Sequence, residues 1–180
     1  MEKKDLLKDV IKHIDIKSYN STELIDAMRN MSFTSRDTAR AADILMMMCK
    51  EKECTNILTL AGSTSAAGCM QVYVDMVRNK MIDVVVATGA SIIDMDLFEA
   101  LGFKHYIGEK ENVIADTTLR DLYIDRIYDT YIDEEELQAC DHTTFEIANM
   151  LEARPYSSRE FIYEIGKWLH EGHAVKKDSL

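Results

Sequence analysis

Two short, mainly apolar runs, each followed by a loop of small residues, are the clearest feature of the hydrophobic pattern. The runs cover residues 56–60 and 83–87. A continuous run, rather than an alternating one, is typical of a strand that helices cover on both faces of a parallel sheet. Residues 69–80, between the runs, have helical spacing of their apolar side chains. The pattern therefore predicts two buried parallel strands joined by a helical crossover.

The two small-residue loops cover residues 61–68 and 88–91. Loops at the carboxyl ends of adjacent parallel strands are where open α/β sheets bind ligands. Small side chains and hydroxyls there allow a ligand to approach the backbone N–H groups. The alternative is a tight strand-to-helix turn that needs small residues only for packing. No Gly-x-Gly-x-x-Gly motif is present, so the loops lack the ordinary dinucleotide-binding fingerprint.

The rest of the chain is predicted to be mainly helical. A charged arm at residues 1–19 forms either a short amphipathic helix or a frayed terminus, and the remaining residues, 20–180, form one domain. Residues 117–128 are expected to form a turn and a short strand pair. Further helices are predicted from Ser21 to Asn30, from Ser35 to Lys50, from Asp94 to Leu101 with Gly102 as its C-cap, from Asp133 onward, and from Ser157 to His170.

Composition and charge narrow the function classes. The chain has 180 residues, 47% of them hydrophobic, and a formal charge of −11. This charge argues against nonspecific nucleic-acid binding. It suits a cationic substrate such as a polyamine or a lysine side chain, but equally an ordinary acidic protein. No apolar run is long enough to span a membrane. The four cysteines form no Cys-x-x-Cys pair and are expected to be reduced in a cytoplasmic protein.

The histidines give no metal signature. None of the five has metal-ligand spacing with cysteines or carboxylates, so no metal site is predicted. His105 is interpreted as a structural histidine that follows a helix.

Several spaced motifs occur in an order that resembles a known family. They are Thr34–Ala42, Leu60-Ala61-Gly62, Met81–Ala90, Asp96–Gly102, His105-Tyr106-Ile107-Gly108 and Arg126–Ile132. Together they resemble the N-terminal half of deoxyhypusine synthase and its prokaryotic relatives, from about Asn20 to the C-terminus. The resemblance implies an α/β fold with a parallel sheet and flanking helices, of Rossmann-like type, incomplete without a C-terminal half.

The resemblance also implies an NAD site in the two loops. Asp94 lies near a family glutamate that serves the cofactor and the polyamine, although it also fits a helix N-cap or first-turn acid. Ser63 stands where many members have asparagine. The implied cofactor-binding residues are Gly62, Ser63, Thr64, Ser65 and Ala66 in the first loop, Thr88, Gly89 and Ala90 in the second, and Asp94.

The implied activity is NAD-dependent aminobutyl transfer. In the family, NAD takes a hydride from a polyamine such as spermidine, a lysine amine attacks the resulting imine, and the hydride returns. The acceptor would be the lysine of the hypusine-bearing translation factor or a small amine. Family members continue for about as long again beyond Leu180, and that half carries the imine-forming lysine. Charged or terminal surroundings, unlike those of a desolvated catalytic amine, are shared by Lys104, Lys110, Lys167, Lys176 and Lys177.

No catalytic residue is therefore expected in this chain, which would be one half of an enzyme. Its expected partner is a separate C-terminal-half chain or a full-length paralogue, in a homo- or hetero-oligomer, with a tetramer expected. Two alternatives remain open. One is a non-catalytic regulatory or scaffold module that kept the fold and the oligomer contacts. The other is a truncated full-length enzyme.

Overall fold

The computed structural model describes residues 1–108 and 114–176. The chain divides into two compact units. The first unit contains Met1–Ile14, Leu60–Val74 and the described residues from Ala87 onward. The second contains Asp15–Thr59 and Asp75–Val86.

In the described residues, the α-helices are α1 (Lys3–Leu6), α2 (Thr22–Met28), α3 (Phe33–Lys50), α4 (Met70–Arg78), α5 (Phe98–Ala100), α6 (Asp116–Asp121), α7 (Glu134–Met150) and α8 (Ser158–Trp168). The strands are β1 (Ile57–Leu60), β2 (Val84–Ala87), β3 (His105–Ile107), β4 (Ile124–Ile127) and β5 (Thr130–Asp133). The remaining helical segments are a 3₁₀ turn at Ile16–Ser18 and π-helical segments at Ser65–Cys69, Ala90–Leu97 and Leu169–His173. None of the helices described is both long and apolar enough to cross a membrane.

The predicted pair of parallel strands is confirmed. Strands β1 and β2 are neighbours in a two-stranded sheet, and the helix between them, α4, covers the predicted segment. The pairing begins at Asn56, whose carbonyl accepts from the backbone N–H groups of Asp83 (2.9 Å) and Val84 (3.2 Å). The Asn56 N–H in turn donates to the Asp83 carboxylate at 2.8 Å. The fold is thus mixed α/β, with a parallel sheet and flanking helices, as predicted.

The predicted burial of these strands is wrong for this chain. Ile57 is 58% exposed, and Val84, Val85 and Val86 are 41%, 37% and 54% exposed. Successive side chains of a strand point to opposite faces, so three consecutive exposed valines mean that β2 is uncovered on both sides. Among the described residues, this sheet has only two strands, and no element buries the side chains of these valines.

A second sheet, in the first unit, was predicted only in part. Strands β3, β5 and β4 lie in that order and pair antiparallel. Within the expected range, 117–128, only β4 is a strand; its partner β5 lies beyond it, and the expected turn at residues 117–121 lies in helix α6 instead. Strand β3 was not predicted, because three residues are too short to show an alternating pattern.

Helices α7 and α8 begin where the sequence predicts. The Asp133 carboxylate caps α7 by accepting from the N–H groups of Glu135 (2.9 Å) and Glu136 (3.3 Å). Ser157 and Glu160 form a reciprocal capping box at the start of α8. Each such cap stabilises its helix by about 1 kcal/mol. The two helices pack on the core of the first unit, whose buried side chains are Leu97, Phe98, Ala100, Ile132, Cys140, Ile147, Ile165 and Leu169.

Within the predicted N-terminal arm, residues 1–19, the structure has the four-residue helix α1, and Met1–Ile14 belong to the first unit. Leu6 is buried in a small apolar cluster with Leu119, Ile124 and Tyr131. The Lys3 ammonium lies 2.6 Å from the Asp133 carboxylate and 2.8 Å from that of Glu135. The segment is therefore anchored at both its apolar and its charged positions.

Candidate functional site

The first predicted loop follows β1 and contains two residues, Gly62 and Ser63, in the left-handed backbone conformation. Gly62 has a φ of +77° and Ser63 a φ of +58°, after which the chain enters the π-helical segment Ser65–Cys69. Glycine adopts this conformation readily, whereas a serine is strained in it. The two residues turn the chain sharply where the strand ends.

Hydrogen bonds within the first loop fix its shape. The N–H of Ala67 donates to the Ser63 carbonyl, and that of Cys69 to the Thr64 carbonyl, both at 3.1 Å. The Tyr73 hydroxyl donates to the Thr64 hydroxyl at 2.7 Å. Ser65 and Ala66 are buried, while Gly62 is exposed and Ser63 and Thr64 are half-buried. The accessible part of the predicted contact residues in this loop is thus Gly62 to Thr64.

The second predicted loop is more open. Thr88, Gly89 and Ala90 are exposed, and the Thr88 hydroxyl accepts from the Ser91 N–H at 3.3 Å. Asp94 lies inside the helical segment Ala90–Leu97 and is half-buried, so it is not an N-cap. Burial raises the pKa of the Asp94 carboxyl above its usual range, and the charge of Asp141 adds to the rise.

The structure brings the two loops together in the first unit. Leu60 and Ala87, the last residues of β1 and β2, belong to that unit, as do all the predicted contact residues. The helical segments Ser65–Cys69 and Ala90–Leu97, which follow the loops, contact each other. The expectation that the loops are neighbours is therefore met.

The loops offer space and backbone rather than charge. A Cβ atom built on Gly62 or Gly89 would meet nothing within 4 Å. Neither loop contains a lysine or an arginine. A phosphate-bearing ligand would depend here on backbone N–H groups and on hydroxyls such as those of Ser63 and Thr88. Open backbone beside hydroxyls fits a dinucleotide.

A buried carboxylate in the same unit was not singled out from the sequence. Glu99 accepts from Nε2 of His13 (2.6 Å), Nδ1 of His105 (2.8 Å) and Nζ of Lys176 (2.7 Å). Burial alone would raise the pKa of Glu99, but the hydrogen bonds from His105, His13 and Lys176 outweigh it and hold that pKa well below the usual range. His105 is only 1% exposed, which agrees with its structural interpretation.

Only part of this cluster could have been predicted from the sequence. Glu99 and His105 are six residues apart, across the turn at Gly102. His13 and Lys176 are 86 and 77 residues from Glu99, a separation that no local pattern reports. The cluster also changes the interpretation of Lys176, which is not a solvated terminal lysine but the partner of a buried carboxylate.

No metal site is found among residues 1–108 and 114–176. No group of three or more histidine, cysteine or acidic side chains in those ranges is arranged to hold a metal ion. Lys167 lies 3.6 Å from Glu164, with more than half of its side chain exposed. Lys110 and Lys177 lie outside the described residues.

Comparisons with known proteins identify the family. The sequence profile of the family described as deoxyhypusine synthase matches residues 23–180. A deoxyhypusine synthase-like protein from Caulobacter vibrioides is 66% identical over 99% of this chain, and one from Chlorobaculum tepidum is 53% identical over 100% of it. A Methanosarcina acetivorans protein named "Probable deoxyhypusine synthase 2" is 37% identical over 93% of the chain.

The solved structures agree on the fold. A crystal structure of an Entamoeba histolytica protein, described as a candidate deoxyhypusine synthase, superimposes with a TM-score of 0.51 at 19% identity. The match covers 92% of this chain and 57% of that one. The chain spans about half the length of the curated relatives it matches, between 47% and 51% for the three relatives from Caulobacter, Chlorobaculum and Methanosarcina. Because the profile of this family matches residues 23–180, the chain belongs to the deoxyhypusine synthase family.

Proposed function

We propose that this chain is the cofactor-binding half of an NAD-dependent enzyme that transfers an aminobutyl group from a polyamine to an amine. The acceptor is a lysine of the hypusine-bearing translation factor or a small amine. A second chain, either a C-terminal half or a full-length paralogue, supplies the imine-forming lysine in the assembled oligomer. Family membership supports the reaction class, and the length of the relatives supports the need for a second half.

The observation that carries the proposal is the open backbone at Gly62 and Gly89. A Cβ atom on either glycine would meet nothing within 4 Å beyond the adjoining chain, and both glycines follow the ends of neighbouring parallel strands. This is the position at which open α/β sheets bind nucleotides. NAD, when bound, supplies a hydride acceptor that can return the hydride later.

The residues of this chain would bind and orient the substrates. Gly62 and Gly89 let the cofactor reach the backbone, and the hydroxyls of Ser63 and Thr88 are available for its ribose or phosphate groups. Asp94 is half-buried beside the second loop and offers a carboxylate to a polyamine ammonium. The formal charge of −11 favours the approach of such a cation.

Filling the space at Gly89 tests the proposal. Gly89 has a φ of −53°, which any residue adopts, and a Cβ atom there would meet nothing within 4 Å beyond the adjoining chain, so Gly89→Leu introduces no backbone strain. We expect the leucine to occupy the cofactor's space and to weaken NAD binding at least about tenfold, because the backbone can no longer be approached. Isothermal titration with NAD, on the chain assembled with a C-terminal half, measures the change.

Gly166→Leu is the matched control. Gly166 lies in α8, and a Cβ atom built on it would also meet nothing within 4 Å beyond the adjoining helix. Leucine there should leave NAD affinity unchanged and raise helix stability by about 0.5–1 kcal/mol, because glycine is a poor helix former. Unchanged NAD binding in Gly89→Leu would contradict the proposed site. An assembled wild-type complex that does not bind NAD would instead favour the regulatory or scaffold module.

A further inference from the structure

The N-terminal segment at residues 9–14, which we call the strap, runs as an extra extended chain along β3. The Ile107 N–H donates to the Asp9 carbonyl at 2.7 Å, and the Ile11 N–H donates to the His105 carbonyl at 2.9 Å. Val10 and Tyr106 form an antiparallel bridge between these two bonds. The strap is therefore fixed to the three-stranded sheet of the first unit.

The end of the strap meets the first loop. The Ile14 N–H donates to the Gly68 carbonyl at 3.0 Å. A Cβ atom on Gly68 would lie 3.1 Å from the Lys12 carbonyl oxygen, and Gly68 has a φ of +99°. A side chain at Gly68 would therefore be both strained and crowded by the strap, and the first loop lies between β1 at one end and the strap at the other.

The strap is also connected to the helix that follows the second loop. The His13 ring lies 2.6 Å from the buried Glu99 carboxylate, which is in helix α5. An ionised carboxylate can only accept hydrogen bonds, so Nε2 of His13 carries the proton and donates it. Two consecutive strap residues therefore contact both loop regions: Ile14 bonds to Gly68 at the end of the first loop, and His13 bonds to Glu99 in the helix after the second loop.

We propose that the strap holds the first loop in its ligand-binding conformation, and that the His13–Glu99 hydrogen bond is the clamp that keeps the strap in place. His13 and Glu99 are then positioning residues, which act on the ligand through Ile14 and Gly68. The inference rests on the proposed function only in taking the first loop as the cofactor loop. The mechanical connection between strap and loop is independent of the ligand.

Hydrogen exchange followed by mass spectrometry on the full chain tests the connection. Three amides report on the strap and loop: Ile14, bonded to Gly68; Ala67, bonded to Ser63; and Cys69, bonded to Thr64. His13→Ala should increase exchange at all three by about tenfold, because local opening no longer has to break the clamp bond. Amides of α7 should exchange as in the wild type.

Lys176→Met is the matched control. It also removes a partner of Glu99, but from the C-terminal segment, whose Val175 N–H donates to the Ala100 carbonyl at 2.8 Å. Exchange should rise at Val175 and not in the first loop. Equal opening of the loop by both substitutions would overturn the proposal, because Glu99 would then be a general stabiliser. Unchanged loop exchange in His13→Ala would overturn it as well.

Two further variants keep the test decisive. His13→Gln retains an amide donor for Glu99 and should restore protection of the loop; exchange as fast as in His13→Ala would count against the clamp. If His13→Ala does not fold, His13→Asn takes its place, because its shorter amide loses the contact but keeps a polar side chain.

The effect on the ligand is measured separately. In the assembled protein, His13→Ala should weaken NAD binding by about tenfold, and Lys176→Met should not, if loop order sets the affinity. A wild-type complex that binds no NAD would contradict the proposed function while leaving the exchange result to decide the strap. Faster loop exchange with unchanged NAD affinity would contradict the role of the strap at the ligand site.

Discussion

Ser63 shows how a single residue connects the backbone of the first loop to its chemistry. It has a φ of +58°, a conformation that costs a non-glycine residue about 1 kcal/mol and that asparagine tolerates better than serine. Serine at this position therefore strains the turn while placing a hydroxyl beside the open backbone of Gly62.

Ser63→Asn should therefore stabilise the protein. We expect an increase in the free energy of unfolding of about 0.5 kcal/mol, because asparagine is more stable in the left-handed region. Ser63→Gly should give a similar change, and urea denaturation measures both. Ser35→Asn, at a residue in the ordinary α-helix α3, is the control and should give no gain. A loss of stability in both Ser63 variants would show that the serine side chain, rather than the backbone, determines the turn.

Among the elements, β4 and α7 are joined by a pair of acidic side chains. Asp125 lies on β4, and Glu134 is the first residue of α7. The hydrogen bond with Glu134, together with burial, raises the pKa of Asp125 to about 6, while the same bond and Gln138 lower the pKa of Glu134. The two carboxyl groups share one proton near this pH.

Asp125 makes stability fall as the pH rises, whereas the lowered pKa of Glu134 acts in the opposite direction only below its ordinary value of 4.5. An acid whose pKa is raised in the folded state contributes stability below its unfolded pKa of 3.8 and loses it as the pH passes through about 6. Between pH 4 and pH 7 the wild type should lose about 1 kcal/mol of its free energy of unfolding through Asp125, after discounting for solvent screening. Asp125→Asn should not show this loss. Urea denaturation at the two pH values checks this. Asp121→Asn, at an exposed carboxylate of α6, should leave the loss in place; a loss that persists in Asp125→Asn would rule out the pair as its source.

The elements also show how far the sequence predicts the structure. The βαβ crossover and the capped starts of α7 and α8 follow from local patterns, because continuous apolar runs and capping residues act over a few positions. The small-residue loops that follow β1 and β2 are local in the same way. Strand β3 and the strap do not, because both depend on pairing between distant segments. The bonds from His13 and Lys176 to Glu99 are hidden from the sequence in the same way.

At the scale of the whole molecule, the main departure from the sequence prediction is the exposure of strands predicted to be buried. Val84, Val85 and Val86 expose both faces of β2, as Ile57 does one face of β1. Such β-branched runs are typical of central strands that other elements cover. The relatives are about twice as long as this chain, so a second half of the domain is the cover that we propose.

If this chain is the NAD-binding half of a two-part enzyme, as we propose, its NAD affinity must depend on the missing half. The chain is mixed with the remaining half of the Caulobacter vibrioides relative, whose matching half is 66% identical, and NAD binding is measured calorimetrically for the mixture and for each part. We predict a stable complex that binds NAD, and a weaker signal when the chain carries Gly89→Leu. A stable complex in which wild-type loops bind no NAD would contradict the account.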